Sequence, residues 1–446
     1  MPASNQKVSH RTIMRAILAL SVPAIVTNIT TPVLGITDIA IAGHLGNTVF
    51  IAAIAIGSSM FNLLYWMFGF LRMGSSGLTA QAFGAGDDKG FSLVLWRSML
   101  IALCIGCAMI ILRTPLCRLM LYCMDVSGET YSVAASYFEI CIWGSPAVLG
   151  TFALTGWFVG MQNSRITMWV SLTIDIVNII LSLTFVFAAG MKLNGLATGT
   201  LCAQWVGFVI GVIFCMRKYR PSVPAWREII EWSGLKRFFS VNVDIFLRTL
   251  CLVSVTMWFT RAGASQGDTM LAVNALLMQM FTVFSFFMDG FAFSGEALCG
   301  RFKGAGDYSC FKQTVRLLLV TGGCLATLFT AIYTVTGTGF LNLLTDDLTV
   351  VNGAKDYFWW AVSIPAVGFM AFTWDGIFIG ATETRSMLAS MALATAVFFC
   401  VYSAAFPSMR NHGLWLAFIC YLAVRGAVLA IMSRKYNRPG YFCSSR

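Results

Sequence analysis

The chain has 446 residues, of which 58% are hydrophobic and only 11% are charged. So little polar surface excludes a water-soluble globular protein and predicts a protein that lies in lipid. The formal net charge of +11 does not indicate nucleic-acid binding, because short cytoplasmic loops of membrane proteins collect Lys and Arg. The 14 cysteines show no repeated CxxC spacing, so neither a disulfide framework nor a metal site is implied.

About twelve apolar segments can cross a bilayer as helices, each of which takes about 20 mainly apolar residues. In chain order the predicted spans are residues 15–42, 49–72, 92–112, 134–160, 164–189, 193–216, 238–262, 269–299, 312–334, 354–380, 384–406 and 411–433. The first span is longer than the apolar core of a signal peptide, so it is predicted to stay as a helix. The sequence therefore predicts an all-α integral membrane protein.

The distribution of basic residues predicts the orientation of the spans. With the N-terminus inside, about 21 Lys and Arg fall on the inner side and about six on the outer side. The inner set is Lys7, Arg11, Arg15, Lys89, Arg97, Arg165, Arg217, Lys218, Arg220, Arg227, Lys236, Arg237, Arg301, Lys303, Lys312, Arg316, Arg385, Arg434, Lys435, Arg438 and Arg446. Both termini are therefore predicted to be cytoplasmic, in the cell (inner) membrane.

The two halves of the chain repeat at an offset of about 220 residues. The matches include FGAGD at 83–87 with KGAGD at 303–307, GWFVG at 156–160 with GIFIG at 376–380, and RKY at 217–219 with RKY at 434–436. Six spans per half is an even number, so both halves are predicted to enter the membrane in the same direction around a central cleft. The predicted domains are a six-helix lobe at 1–216, a cytoplasmic linker at 217–237 and a second six-helix lobe at 238–446. Within the linker, 226–232 is predicted to form a short interfacial amphipathic helix.

Ionisable side chains inside the spans indicate functional sites, because burying a charge in hydrocarbon costs several kcal/mol. The acids are Asp38, Glu139, Asp175, Asp244, Asp289, Glu296 and Asp375, and the bases are Arg72, Arg248 and Arg425. This excess of acid favours a cationic cargo, bound protons or both, since a carboxyl group withdrawn from water takes up a proton more readily.

Asp38 is the leading candidate for a coupling residue. It lies on the first span, which also carries Pro23 and Pro32, and prolines allow a helix to bend. A carboxylate beside a bendable segment can couple protonation to helix shape. In the alternative interpretation, Asp38 caps a hydrogen-bond network with Asn28 or Asn178 and never titrates.

Asp175 and Asn178 are three residues apart on the fifth span and are predicted to share a face. Opposite Asp38, they would form a polar pocket. The alternative, held equally open, is that Asp175 faces the inner end of the bundle and only satisfies backbone groups.

The second half carries a further polar network of Asp244, Arg248, Asp289, Glu296 and Asp375. Asp244 and Arg248 are one helical turn apart, which favours a direct structural ion pair. Asp289 and Glu296 lie two turns apart on one face of their span. Because one Arg cannot neutralise four acids, at least one of these carboxyls is predicted to be protonated or available to a cation.

Other chemistry receives no support from the sequence. The Gly-Ala-Gly loops lack the Gly-Lys-Ser/Thr that holds nucleotide phosphates, and the three histidines, His10, His44 and His412, lie near span ends. Neither a haem nor a buried zinc centre is indicated, and no cofactor is predicted. An intramembrane enzyme would need a cluster of His, Cys or Ser, and none is recognisable.

These residues together resemble the multidrug and toxic compound extrusion (MATE) family, in particular its DNA-damage-inducible protein F branch. The first helix, from PVLGITD at 32–38 onward, is similar to the first helix of that family with its functional Asp. The motifs closer to the branch are DIFLRT at 244–249, MDGFA at 288–292 with Glu296, and DGIFIGAT at 375–382.

The resemblance implies a V-shaped pair of six-helix bundles and antiport of organic cations against protons or sodium. It also implies an N-lobe cation site around Asp38 and Asn178. Family members often place an Asp four residues after that Asn, whereas this chain has Ser182. This departure puts sodium coordination in doubt, and Asp175, one turn earlier, is the residue that could substitute.

The predicted function is proton-driven, or sodium-driven, efflux of small cationic or amphipathic compounds by a monomer with no enzymatic activity. Protons from outside would neutralise Asp38 and bend the first helix while cargo is released. Its partners would be substrate, ions and membrane lipids, without nucleic acid. The alternatives are a lipid-linked precursor flippase of the same superfamily, which a cleft rich in Lys and Arg would favour, and a channel.

Overall fold

The computed structural model describes residues 9–44, 48–337, 339–345 and 347–437, and no strand occurs in these ranges. Lys7, Arg438 and Arg446 of the inner basic set lie outside the described residues. Within the described part, twelve helical segments are long and apolar enough to cross a membrane. The prediction of an all-α membrane protein with twelve spans is confirmed.

Contacts between residues divide the chain into two compact units, Val22–Asn242 and Met1–Ser21 with Val243–Arg446. The first ten helices are α1 His10–Gly43, α2 Thr48–Met67, α3 Phe70–Ala85, α4 Asp88–Ile111, α5 Arg113–Cys123, α6 Gly128–Cys141, α7 Ser145–Gly160, α8 Ser164–Leu183, α9 Lys192–Lys218 and α10 Trp226–Ile229. The others are α11 Trp232–Ala264, α12 Asp268–Gly304, α13 Tyr308–Thr336, α14 Gly339–Leu344, α15 Leu348–Lys355, α16 Phe358–Gly380, α17 Thr384–Met409 and α18 Asn411–Met432.

Two spans are broken by tight turns that their apolar sequences do not reveal. At Phe68 and Gly69, between α2 and α3, the backbone nitrogens bond to the carbonyls three residues earlier, Tyr65 and Trp66. A 3-10 turn at Ile142–Gly144 likewise separates α6 from α7. Each break tightens the backbone while the segment stays apolar.

The repeat seen in the sequence appears as the same local structure in both units. Asp87 caps α4 by accepting from the Gly90 nitrogen at 2.8 Å, and Asp307 caps α13 by accepting from the Cys310 nitrogen at 2.9 Å. The preceding Gly86 has a φ of 68°, a left-handed conformation that glycine adopts without strain.

The paired GxxxG motifs allow close helix packing within each unit. A Cβ atom on Gly156 of α7 would collide with the backbone carbonyl of Arg72 on α3. A Cβ atom on Gly376 of α16 would collide in the same way with the carbonyl of Ala292 on α12. Small residues four apart let two helix backbones approach closely, so α7 packs directly on α3 and α16 packs directly on α12.

The linker is fixed to the first unit by polar contacts on α4. The Arg97 guanidinium donates to the carbonyls of Glu228 at 2.7 Å and Ile229 at 3.0 Å, and Lys89 pairs with the Glu228 carboxylate at 2.7 Å. The interfacial helix predicted over 226–232 is only the single turn α10, because Trp232 already begins α11.

Candidate functional site

Asp38 lies near the C-terminal end of α1, where the neighbouring Ile41 and Ala42 are packed into the core of the first unit. The residue is only 6% exposed, and its Oδ1 atom is buried with no hydrogen-bond partner among the described residues. No ion pair of Asp38 occurs there either. A buried carboxyl without a partner is costly, so its presence requires a functional explanation.

Asp175 on α8 is brought next to Asp38, and the two carboxyl groups interact electrostatically. Thr30 of α1 also interacts with the Asp175 carboxyl. The Asp175 Oδ2 atom is buried and has no hydrogen-bond partner among the described residues. Two carboxyl groups on adjacent helices therefore share one poorly solvated site, as expected for a place that binds a proton or a cation.

Tyr137 and Cys141 of α6 complete this site and were not identified from the sequence. Both side chains are buried and interact electrostatically with Asp38. The repeated Tyr-Phe pair at 137–138 and 357–358 was the only signal, and it marks the repeat rather than a site.

Asn178 belongs to an adjacent network and is not bonded to Asp38. Its Nδ2 atom donates to Thr200 Oγ1 on α9 at 3.0 Å, and its Oδ1 atom accepts from Ser182 Oγ at 3.1 Å. Asp175 thus reaches α1 while Asn178 reaches α9, although one turn separates them. The interpretation in which Asn178 holds Asp38 is not what the structure shows.

The two prolines predicted as hinges both lie inside α1, which continues through them as one helix. Thr27 Oγ1 donates to the Pro23 carbonyl at 3.1 Å. Each proline removes one backbone hydrogen bond from the helix interior, so α1 is weakened at two points between its start and Asp38.

In the second unit, Asp375 of α16 is held by two arginines. Its Oδ2 atom accepts from Arg248 of α11 and from Arg425 of α18. All three side chains are buried, and the Arg425 guanidinium also lies over the Phe372 ring, 5.6 Å from its centre. This carboxylate is fully compensated, in contrast to Asp38.

Asp289 and Glu296 of α12 join the same cluster through its arginines. Both carboxyls act electrostatically on Arg248, and Asp289 also acts on Arg425. The structure therefore brings together four of the five residues predicted for the polar network, Arg248, Asp289, Glu296 and Asp375. It adds Arg425, which the prediction did not include.

The ion pair predicted between Asp244 and Arg248 is wrong. Arg248 extends to Asp375, and the Asp244 Oδ2 atom accepts from Thr384 Oγ1 of α17 at 2.7 Å. One turn of spacing permits a pair on a helix surface, but the buried Asp375 offers Arg248 a charge-assisted bond away from water, which is stronger.

In the described residues, no group of three or more His, Cys, Asp or Glu that could hold a metal ion occurs.

Known proteins match the chain over nearly its full length. The MatE family model matches residues 23–184 and 245–403. DNA damage-inducible protein F of Escherichia coli is 35% identical over 429 residues, which cover 96% of this chain and 93% of that protein. Multidrug resistance protein MdtK of Edwardsiella ictaluri is 23% identical over 95% of this chain and 96% of its own. A crystal structure of the Vibrio cholerae MATE transporter VcmN has a TM-score of 0.85 at 16% identity, covering 96% of this chain and 99% of that chain.

Proposed function

Because the chain belongs to the MATE family of membrane transporters, we propose that it is a secondary active antiporter that exports organic cations in exchange for protons. The family and branch predicted from the motifs are confirmed by the matches above. The exchange mechanism rests on one observation, the buried Asp38 carboxyl that has no partner in the described residues and lies beside Asp175.

The pair of carboxyls supports exchange because protons and an organic cation compete for the same negative charge. Two adjacent carboxylates repel each other, so either a proton or a cation at this site relieves the repulsion. Proton and cargo then stabilise different states of one equilibrium, which is the requirement for coupled exchange. Pro23 and Pro32 supply the segment of α1 that changes shape between those states.

The orientation proposed from the basic residues gives this exchange its direction. With both termini cytoplasmic in the inner membrane, protons enter from outside and cargo leaves the cell. The acidic character of the site in the first unit favours organic cations over anionic lipid precursors. As a transporter, the chain needs no catalytic group.

The test is the efflux of a cationic dye from reconstituted vesicles under an imposed pH gradient. We expect Asp38→Asn to reduce efflux to the level of protein-free vesicles, because the amide can neither bind nor release a proton at this site. Asp244→Asn is the matched control, since its carboxylate lies on the corresponding span of the second unit and accepts a hydrogen bond from Thr384, with no ion pair among the described residues. This variant should transport normally. Undiminished exchange by correctly inserted Asp38→Asn protein would contradict the mechanism. Downhill flux of the dye by the wild-type protein, without coupling to the pH gradient, would indicate a channel.

A further inference from the structure

A groove of about 490 Å³ lies in the second unit, between α13, α16 and the turn that follows α18. Its walls include Val315 and Leu319 of α13, Phe369 and Trp374 of α16, and Ser433 after α18. All of its lining residues belong to the second unit, whereas Asp38 belongs to the first. Most of its lining is apolar, but Lys312 and Arg316 border it.

The polarity of the groove changes along one face of α13. Tyr308, Lys312 and Arg316 are spaced four residues apart near the start of the helix, and Leu319 and Val320 follow one turn later. Residues four apart lie on the same face, about 6 Å apart along the axis. The groove is therefore cationic at the end of α13 that the basic residues place in the cytoplasm, and apolar deeper in the span.

The two cationic groups have no partner within the described part of the chain. Neither Lys312 nor Arg316 makes an ion pair or hydrogen bond there, and both are exposed. Asp307, five residues before Lys312, caps α13 by accepting from the Cys310 nitrogen, and Glu383 is paired with Lys435 at 2.7 Å and with Lys303 at 3.8 Å. Two uncompensated positive charges beside an apolar groove fit an anionic group that carries a hydrocarbon chain.

The corresponding surface of the first unit is covered by the chain itself. At the repeat offset, Arg316 corresponds to Trp96 of α4, whose indole nitrogen donates to the Ser222 carbonyl of the linker at 3.1 Å. Among the residues that the structure describes in the second unit, none makes the corresponding contact over the groove.

We propose that this groove binds an anionic phospholipid from the cytoplasmic leaflet. Lys312 and Arg316 hold the phosphate, and an acyl chain lies against Val315, Leu319 and Phe369. Basic pockets between membrane helices on the cytoplasmic side recognise anionic headgroups in this way. The assignment of the leaflet rests on the orientation proposed above, and the binding itself does not depend on the transported cargo.

The alternative occupant is the chain's own end, residues 438–446. This segment carries Arg438 and Arg446, which repel the cations of the groove. Charge complementarity therefore favours the lipid over the tail.

The test compares binding of dioleoylphosphatidylglycerol and dioleoylphosphatidylcholine to the purified full-length protein, measured by native mass spectrometry. We expect the wild-type protein to prefer the anionic lipid, and the double variant Lys312→Gln/Arg316→Gln to lose roughly 30-fold in affinity for it, since each basic residue contributes about fivefold.

The matched control is Arg165→Gln/Arg385→Gln. It removes two exposed, repeat-related arginines from the same side of the membrane and should bind the anionic lipid as the wild type does. Equal losses in both double variants would show a general charge effect and overturn the site.

Two further variants separate the groove from the charges and from the tail. Val315→Trp fills the apolar part of the groove and keeps both cations. It should abolish binding of the anionic lipid without lowering the thermal stability of the protein. Deletion of 438–446 should leave lipid binding unchanged. If the anionic lipid binds only after this deletion, the tail is the occupant and the proposal is wrong.

Discussion

Asp38 and Asp375 are both buried carboxyl groups on long membrane helices, yet their surroundings differ. Asp38 has another carboxyl beside it, whereas Asp375 accepts from two guanidinium groups. In the mechanism that we propose, the Asp38 carboxyl exchanges a proton, whereas Asp375 is held by charge-assisted hydrogen bonds from its two partners. We therefore expect loss of Asp38 to affect coupling and loss of Asp375 to affect folding.

The Asp375→Asn variant should be destabilised by about 3–5 kcal/mol, because it leaves two buried guanidiniums without their shared partner. The measurement is the free energy or midpoint of unfolding of purified protein in detergent. Asp244→Asn is the control and should lose only about 1 kcal/mol, since Asp244 makes one bond to a hydroxyl group.

The double variant Asp375→Asn/Arg425→Gln makes this test specific. If the ion pair causes the loss, the double variant is less destabilised than the sum of the two single variants, since residues in one network are not additive. Strictly additive losses would show that the two side chains act independently.

The prolines inside α1 allow a test of the proposed coupling between the site and the shape of the helix. Replacing Pro32 with Ala restores one backbone hydrogen bond, worth about 1 kcal/mol, to the straight helix. A bias of that size against the bent state should lower efflux roughly fivefold. The measurement is the initial rate of dye efflux, with dye binding measured separately and expected to stay unchanged.

Pro407→Ala is the matched control for this prediction. Pro407 also lies inside a helix, near the end of α17, but far along the chain from either carboxyl site. Its replacement should leave efflux unchanged. An equal decrease in both variants would mean that the loss of a proline, and not its place in α1, slows transport.

Close packing within each unit gives a second prediction about elements. Gly376→Ala should destabilise the protein by about 1–3 kcal/mol, because the new methyl group collides with the Ala292 backbone. Gly368→Ala on the same helix meets only side-chain atoms at 3.7 Å or more, so it should be neutral or stabilise by up to about 1 kcal/mol. Thermal unfolding in detergent compares the two, and equal effects would rule out the backbone contact as the cause.

Hydropathy was enough to predict the twelve spans, and the resemblance of the motifs at 244–249, 288–292 and 375–382 was enough to predict the branch of the family. They did not predict the turns at 68–69 and 142–144, because backbone breaks inside an apolar segment leave the hydropathy unchanged. The buried acids were visible as charges in apolar sequence, but their partners were not. Arg425 and Asp375 are joined only by tertiary packing, and the one-turn rule assigned Arg248 to Asp244 when a buried partner on another helix was available.

At the scale of the whole molecule, the two units share local structure but differ in the partners of their buried carboxyl groups. Asp87 and Asp307 cap corresponding helices, and the paired glycines pack corresponding helices together. In the described residues, the first unit has Asp38 and Asp175 side by side without an ion pair, whereas the second unit holds Asp375 between two arginines. In the exchange that we propose, the carboxyls of the first unit change charge during the cycle, whereas the ion-paired Asp375 of the second unit contributes to stability.

The ligands available at the Asp38–Asp175 site predict which ion drives transport. A sodium site needs several oxygen ligands, but the Asn178 amide is already bonded to Ser182 and Thr200, so the Asp38 and Asp175 carboxyls are left to supply the oxygen ligands. A proton needs only one carboxyl oxygen. We therefore expect a proton gradient at constant sodium to drive dye efflux from reconstituted vesicles at least about tenfold faster than an equal sodium gradient at constant pH, a difference of about 1.4 kcal/mol in driving effect. A protonophore should abolish the efflux. Faster efflux under the sodium gradient would assign the carboxyl pair to sodium and require the Asn178 network to open during the cycle.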